Sequence, residues 1–341
     1  MTGPASIDIA VIVADAEMLA HRYDPGHDAF HFVPVSRAEH AAAPFLTDEY
    51  LAGKQPIILR RDDVMRVRPR PAPIHFIFHS AFCCSTLLAR LFDLPGRSMG
   101  LKEPVLLNDI TGWRHQRPDG AKVAQVLDGA LGLLARPFTP GEAVIVKPSN
   151  VVNGLIPGIL TMRPEARALL IHAPLTDYLA SIARKGMWGR LWVRDLFGKL
   201  VRENMVGLGI DPASYMSLTD IQIAAVGWLA QHQQFTTLTQ RFGARVATLN
   251  SDALVARPAE ISSALAQHFG VALTTGEARE IAAGPIFGRN AKTGADFASG
   301  QRSRDAAQGA QLHADEVAKV AEWAGVIAAN SGIPMELPAA L

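Results

Sequence analysis

The chain has 341 residues, 49% of them hydrophobic, and its 33 Lys and Arg nearly balance 32 Asp and Glu, for a net charge of +1. That composition is ordinary for a globular protein, with no basic excess to mark a nucleic-acid binder and no run of about eighteen apolar residues to mark a membrane span. Asp8, Asp15 and Glu17 near the start argue against a secretory signal, and the two cysteines, adjacent at 83 and 84, build no disulfide framework, so a cytoplasmic protein is expected.

Residues 1–73 read as an N-terminal extension packing on the core. Ile9–His21 has the spacing of an amphipathic helix, Phe30–Val35 that of a short strand, and Phe45–Leu51 that of another helical turn. Arg60, Arg61, Arg66, Arg68 and Arg70 cluster around prolines 69, 71 and 73. A Pro-stiffened, solvated linker and a basic rim near an anionic ligand both fit this cluster, and the linker is the commoner case.

The stretch Ile74–Leu94 is the one around which the rest of the chain is organised. An apolar run (Ile74, Phe76, Ile77, Phe78) leads into small and polar residues, His79 to Thr86, and then Leu87, Leu88, Leu91 and Phe92 recur at helical spacing. A strand, a small-residue turn and a helix opening on Ser-Thr form a place where phosphate-like anions bind, because backbone amides and the helix dipole converge there. Cys84-Ser85-Thr86-Leu87-Leu88 resembles the GTTLL of the sulfotransferase superfamily, whose P-loop variant commonly reads PxSGTTLL. That loop grips the 5′-phosphosulfate of 3′-phosphoadenosine 5′-phosphosulfate (PAPS). The resemblance implies a P-loop NTPase-like domain over residues 74–335, PAPS as co-substrate, and Ser80, Cys83, Cys84, Ser85 and Thr86 around the phosphosulfate. Two departures stand beside it: Phe82 occupies the position where the family usually has Lys or Arg, and Cys84 that of the loop glycine.

Beyond a Pro95-Gly96 turn, Ser98–Leu101 reads as a strand ending in Lys102-Glu103-Pro104. The resemblance points to Glu103 as the general base, while the residue by itself reads equally well as a cap of the helix that starts near Pro104. Lys122–Leu134 is a helix with Val123, Val126, Leu127, Ala130, Leu131 and Leu134 on one face. Ala143–Val146 is a strand running into Lys147-Pro148, which resembles the Lys that closes the equivalent strand in sulfotransferases. The resemblance makes Lys147 the cation on the leaving group; a lysine at a strand end for solubility is the plainer alternative.

Arg167–His172 is the next strand, and the helix behind it resembles the RDPRDxxxS segment that binds the 3′-phosphate of PAPS. Ser181 matches the closing Ser, whereas Ala173 and Thr176 stand where the arginines belong. Arg184 or Lys185 can compensate from one turn on, or can be plain exposed helix residues. The Trp- and Arg-rich stretch 187–203 suits a substrate lid or a helix packed on the core. Asp220–Arg241 reads as a long helix with a packed His232, Arg245–Leu249 as a strand, and Pro258–Phe269 as a helix ending at Gly270. Gly284–Gly294 is a polar segment where Arg289 and Lys292 can hold the 3′-phosphate or sit in a solvated loop. Gln311–Asn330 is a last amphipathic helix.

Strands near 74, 98, 143, 167 and 245 separated by helices make an α/β fold, a parallel sheet with helices on both faces. The resemblance implies sulfuryl transfer from PAPS to a hydroxyl or amine of a small-molecule acceptor. Two other readings stay open: a catalytically inactive nucleotide- or partner-binding P-loop protein, and a cysteine phosphatase-like enzyme using the Cys84-x5-Arg90 spacing.

Overall fold

The computed structural model describes residues 8–67, 71–288 and 301–341, without the side chains of residues 285, 288 and 301–312. Helix α1 (Ile9–Ala14) opens on Asp8, whose carboxylate accepts the Ala10 amide, and it stops at Asp15. The helix expected over Ile9–His21 is therefore cut short. Met18–Asp24 is instead strand β1, antiparallel to β2 (Ala29–Pro34). Apolar residues at 9, 12, 13, 19 and 20 satisfy either period, and a distant residue breaks the tie. The guanidinium of Arg136, buried, donates to the carbonyls of Ile12, Val13, Asp15 and Met18 at 2.7–3.2 Å. The first two are carbonyls left over where the helix ends and the last belongs to the start of β1, so Arg136 fixes the break between helix and strand.

Helix α2 (Arg37–Ala42) starts with a reciprocal cap between Ser36 and Glu39. The helical turn expected at Phe45–Leu51 is a series of bends and turns. Leu46 is buried there, its amide donating to the Lys102 carbonyl and its own carbonyl accepting from Val105. The expected arginine-rich linker is also corrected: β3 (Ile57–Arg60) completes a sheet of order β1-β2-β3, and α3 (Arg61–Arg66) follows at once. Arg61 there is paired to Asp28 at 2.9 Å. Arg68 and Arg70 lie outside the described residues.

From here strands and helices alternate: β4 (Ile74–His79), α4 (Ser85–Leu91), β5 (Ser98–Lys102), α5 (Val105–Arg114), α6 (Gly120–Leu134), β6 (Ala143–Lys147), α7 (Ile156–Met162), β7 (Ala168–His172), α8 (Leu175–Arg184), α9 (Gly186–Arg202), α10 (Asp220–Phe242) and β8 (Val246–Asn250). The five strands form a parallel sheet of order β5-β6-β4-β7-β8 flanked by helices. Every residue of β4, β5 and β7 is buried, as in a sheet covered on both faces. Gly100 is required in β5 because a Cβ there would run into the Ala89 carbonyl oxygen of α4. The chain continues through α11 (Ser251–Ala256), α12 (Pro258–Phe269), α13 (Thr275–Ala283), α14 (Pro285–Gly288) and α15 (Gln301–Ser331). Helix α12 runs from Pro258 to a left-handed Gly270, as its sequence dictates, whereas α15 begins ten residues before the expected Gln311.

The chain divides into two compact units, Met1–Phe76 with Ala89–Ala166, and Ile77–Leu88 with Arg167–Leu341. In the first, α5 and α6 pack on β1; in the second, α8 packs on α15 and α9 on α10. Among the described residues, no helix is long and apolar enough to cross a membrane.

Candidate functional site

In the second unit, β4 ends at His79 and the chain turns through Ser80–Cys84 into α4. Three non-glycine residues in this turn are left-handed, with φ of 77° at Ala81, 53° at Phe82 and 63° at Cys84. Each costs on the order of 1 kcal/mol, so the surrounding structure must hold them. The Ser80 amide donates to the Ile171 carbonyl of β7 at 3.1 Å, and the Cys83 thiol reaches the same carbonyl at 3.4 Å. The Ala81 amide donates to Nδ1 of His79 at 3.0 Å. Left-handed residues in a tight turn can aim successive amides at one point, the arrangement of an anion-binding concavity. The Ser80 hydroxyl is fully buried and has no protein partner. Ser85 and Thr86, also buried, follow as the first residues of α4.

The wall beside this turn is aromatic. The Phe82 ring lies 6.0 Å from Tyr178 and 5.3 Å from Trp192, and Trp192 stacks on Trp188 at 6.3 Å. The Lys185 ammonium sits 5.7 Å from the centre of Phe82 and 5.0 Å from that of Trp188. Ser181 is half-buried on α8 and Arg184 is exposed in its last turn. Ala173, where the matching motif has arginine, is buried, and its carbonyl accepts from the Trp228 indole at 3.0 Å. Helix α9 meets the packing expectation for it. Val193, Leu196, Phe197 and Leu200 are buried and Arg194 pairs with Asp220, while Met187, Trp188 and Leu191 remain exposed.

In the first unit, β5 and β6 end side by side, Lys102 in register with Lys147. The Lys147 ammonium is ion-paired with the Glu103 carboxylate, and the Glu103 amide donates to the Lys147 carbonyl at 2.7 Å. Lys147 is 1% exposed and Glu103 20% at the side chain, with the Phe45 ring 5.3 Å from the ammonium. Burial this deep removes the solubility reading of Lys147. The capping reading of Glu103 goes too, since α5 has Pro104 at its N-cap and no side-chain cap. Glu103 is left-handed, φ 49°, directly before Pro104, where the proline ring crowds the backbone. A strained carboxylate beside a buried ammonium can take a proton and steady an anion within one site. Lys102 is different: its ammonium donates to the His40 and Ala41 carbonyls at 2.5 and 3.0 Å, and burial lowers its pKa to about 8. It closes the end of α2.

Arg289 and Lys292 lie outside the described residues. The cysteine phosphatase reading is overturned. Cys84 precedes α4 and Arg90 is in its last turn, about 9 Å along the axis at 1.5 Å per residue, so no loop curls the guanidinium back to the thiol. The aromatic platform under Lys185 was missed from sequence, although Phe82, Lys185, Trp188 and Trp192 were each visible.

No family model matches the chain, and no curated protein matches it. Among solved structures the chain is similar to the sulfotransferase domain of the curacin biosynthetic pathway, at 16% identity and a TM-score of 0.40 over 67% of this chain and 84% of that one. It is similar to a sulfotransferase from Mycobacterium tuberculosis H37Rv at 14% identity and TM-score 0.40, covering 68% of this chain and 76% of that one. The sulfotransferase domain of the Synechococcus PCC 7002 olefin synthase shares 18% identity at TM-score 0.39, over 72% of this chain and 95% of its own.

Proposed function

We propose that the chain transfers a sulfuryl group from PAPS to the hydroxyl or amine of a small-molecule acceptor. The turn Ser80–Cys84 carries this reading: three strained left-handed residues and a buried, unpartnered hydroxyl are hard to explain by packing and suit an anion with several oxygens. The amides and hydroxyls from Cys83 to Thr86 hold the phosphosulfate in this reading. Ser181 and Arg184, with Arg289 and Lys292, take the 3′-phosphate. Glu103 accepts the acceptor's proton as the new bond to sulfur forms. Lys147 offsets the charge on the phosphate oxygen that keeps the electron pair of the broken S–O bond. Such transfers depend on positioning and preorganised charge.

The test is calorimetry with adenosine 3′,5′-bisphosphate together with turnover of PAPS in a mixed acceptor pool. Glu103→Gln and Lys147→Ala should each lower turnover about a hundredfold or more while nucleotide affinity stays within severalfold. Wild type that binds the nucleotide but never turns over would make the chain a nucleotide-binding protein instead. Phe82 in place of the loop cation favours that outcome if catalysis fails, whereas Ala173 in place of the 3′-phosphate arginine accounts for a chain that does not bind the nucleotide.

A further inference from the structure

We infer that Lys185 supplies the cation of the anion-binding turn, placed there by aromatic rings instead of by the turn itself. This rests on the reading of the turn as a phosphosulfate site. His79–Thr86 contains no Lys or Arg, and a multiply charged anion gains much of its affinity from charge-assisted hydrogen bonds. Position 82 instead carries a phenyl ring, held in a left-handed backbone at φ 53° that bulky residues avoid. That ring is one of two that flank the Lys185 ammonium, Trp188 being the other, at 5.7 and 5.0 Å. A cation over an aromatic face is attracted to the ring's quadrupole, so the rings help to fix the position of this charge.

The backbone under Lys185 is fixed as well. Lys185 ends α8 and leads into α9, and the next residue, Gly186, is left-handed at φ 58°. Gly189 is packed so closely that an added Cβ would meet the Ile182 carbonyl, and would lie 3.0 Å from the Lys185 Cβ. Trp192 touches Phe82 and stacks on Trp188, so one helix turn of α9 sets both rings. The Ile171 carbonyl that ties Ser80 and Cys83 belongs to the strand leading into α8. Turn, rings and ammonium are thus one construction within the second unit.

Two probes separate this inference from the proposed function. The first is adenosine 3′,5′-bisphosphate: Lys185→Met should weaken its binding about tenfold or more, and Lys185→Arg should stay within about threefold. Adding Phe82→Lys to the Lys185→Met variant should restore most of the loss, because an ammonium then returns from the opposite side of the same contact. The second probe is inorganic pyrophosphate, read as slower alkylation of Cys84. It should protect wild type and the Lys185→Arg variant, and protect the Lys185→Met variant at least tenfold less. If pyrophosphate protects through Lys185 while the nucleotide does not bind, the proposed function falls and this inference stands. Equal nucleotide binding or equal protection in wild type and Lys185→Met overturns the inference alone. No protection in wild type and no nucleotide binding overturn both.

Discussion

Lys147 and Glu103 are joined twice, by the ion pair of their side chains and by the hydrogen bond from the Glu103 amide to the Lys147 carbonyl. The backbone bond survives any side-chain change, so the side-chain pair can be dissected by itself. The two partners differ in burial, and single substitutions should therefore cost unequal amounts. Glu103→Gln strips the carboxylate from an ammonium that is almost fully buried and should cost about 3 kcal/mol. Lys147→Met leaves a carboxylate with some access to water and should cost about 1–2 kcal/mol. The double variant should recover part of the sum. Urea unfolding of the four proteins measures this, and additive costs would mean the pair has no coupling.

Arg136 offers a larger effect. Its guanidinium donates to the Leu133 carbonyl at 2.6 Å as well as to the four carbonyls around the end of α1. Burial lowers its pKa to about 10, which still leaves it charged at neutral pH. Arg136→Met should cost about 3 kcal/mol or more, because several buried carbonyls lose their donor at once. Proteolysis should then cut first between Ala14 and Met18. A loss below 1 kcal/mol would show that water replaces the guanidinium freely.

Acid should destabilise the protein before its carboxylates titrate. His40 is held near pKa 3 by burial and then by the charges of Lys102 and Arg136, and His172 near 4 by burial. Both folded values lie below the unfolded value of 6.5, so the unfolded chain binds more protons and stability falls as pH drops below 6.5. At pH 5 each histidine should have removed on the order of 2 kcal/mol relative to pH 7.5. His40→Leu and His172→Leu should flatten the curve between pH 7 and 5. A wild-type curve already flat over that interval would refute the assignment.

All five strands of the parallel sheet were legible to within one or two residues, because short, largely apolar runs bounded by turn residues have few alternatives. The turn at Ser80–Cys84 and the ends of β5 and β6 at Glu103 and Lys147 were legible as breaks after apolar runs. β1 was not, since its six neighbours in α1 share its periodicity and only Arg136, over a hundred residues on, decides between them. β3 was hidden by the arginines that follow it, whose charges are answered by Asp28 and Asp63 in the fold. Lys185 could be named but not placed, because the two rings that hold it come from separate segments, the turn and α9.

The vicinal cysteines should behave as different groups despite being neighbours. Cys83 is 1% exposed with its thiol on the Ile171 carbonyl, whereas Cys84 is partly exposed. One thiol per chain should react promptly with an alkylating reagent under native conditions, and the second only on unfolding. Peptide mapping should assign the fast one to Cys84. Two slow thiols would show that the turn is closed to solvent.

The hold of β7 on the turn has a temporal side. Cys83 and Ile171 are 88 residues apart in the chain. At roughly 5–20 residues per second on a ribosome, the turn is made about 4–18 seconds before the carbonyl that secures it exists. During that interval the turn lacks its ties to the Ile171 carbonyl, and its left-handed residues can relax to ordinary turns. The turn is therefore fixed late, after synthesis has passed β7. A nascent chain stalled short of that strand should have both cysteines equally reactive.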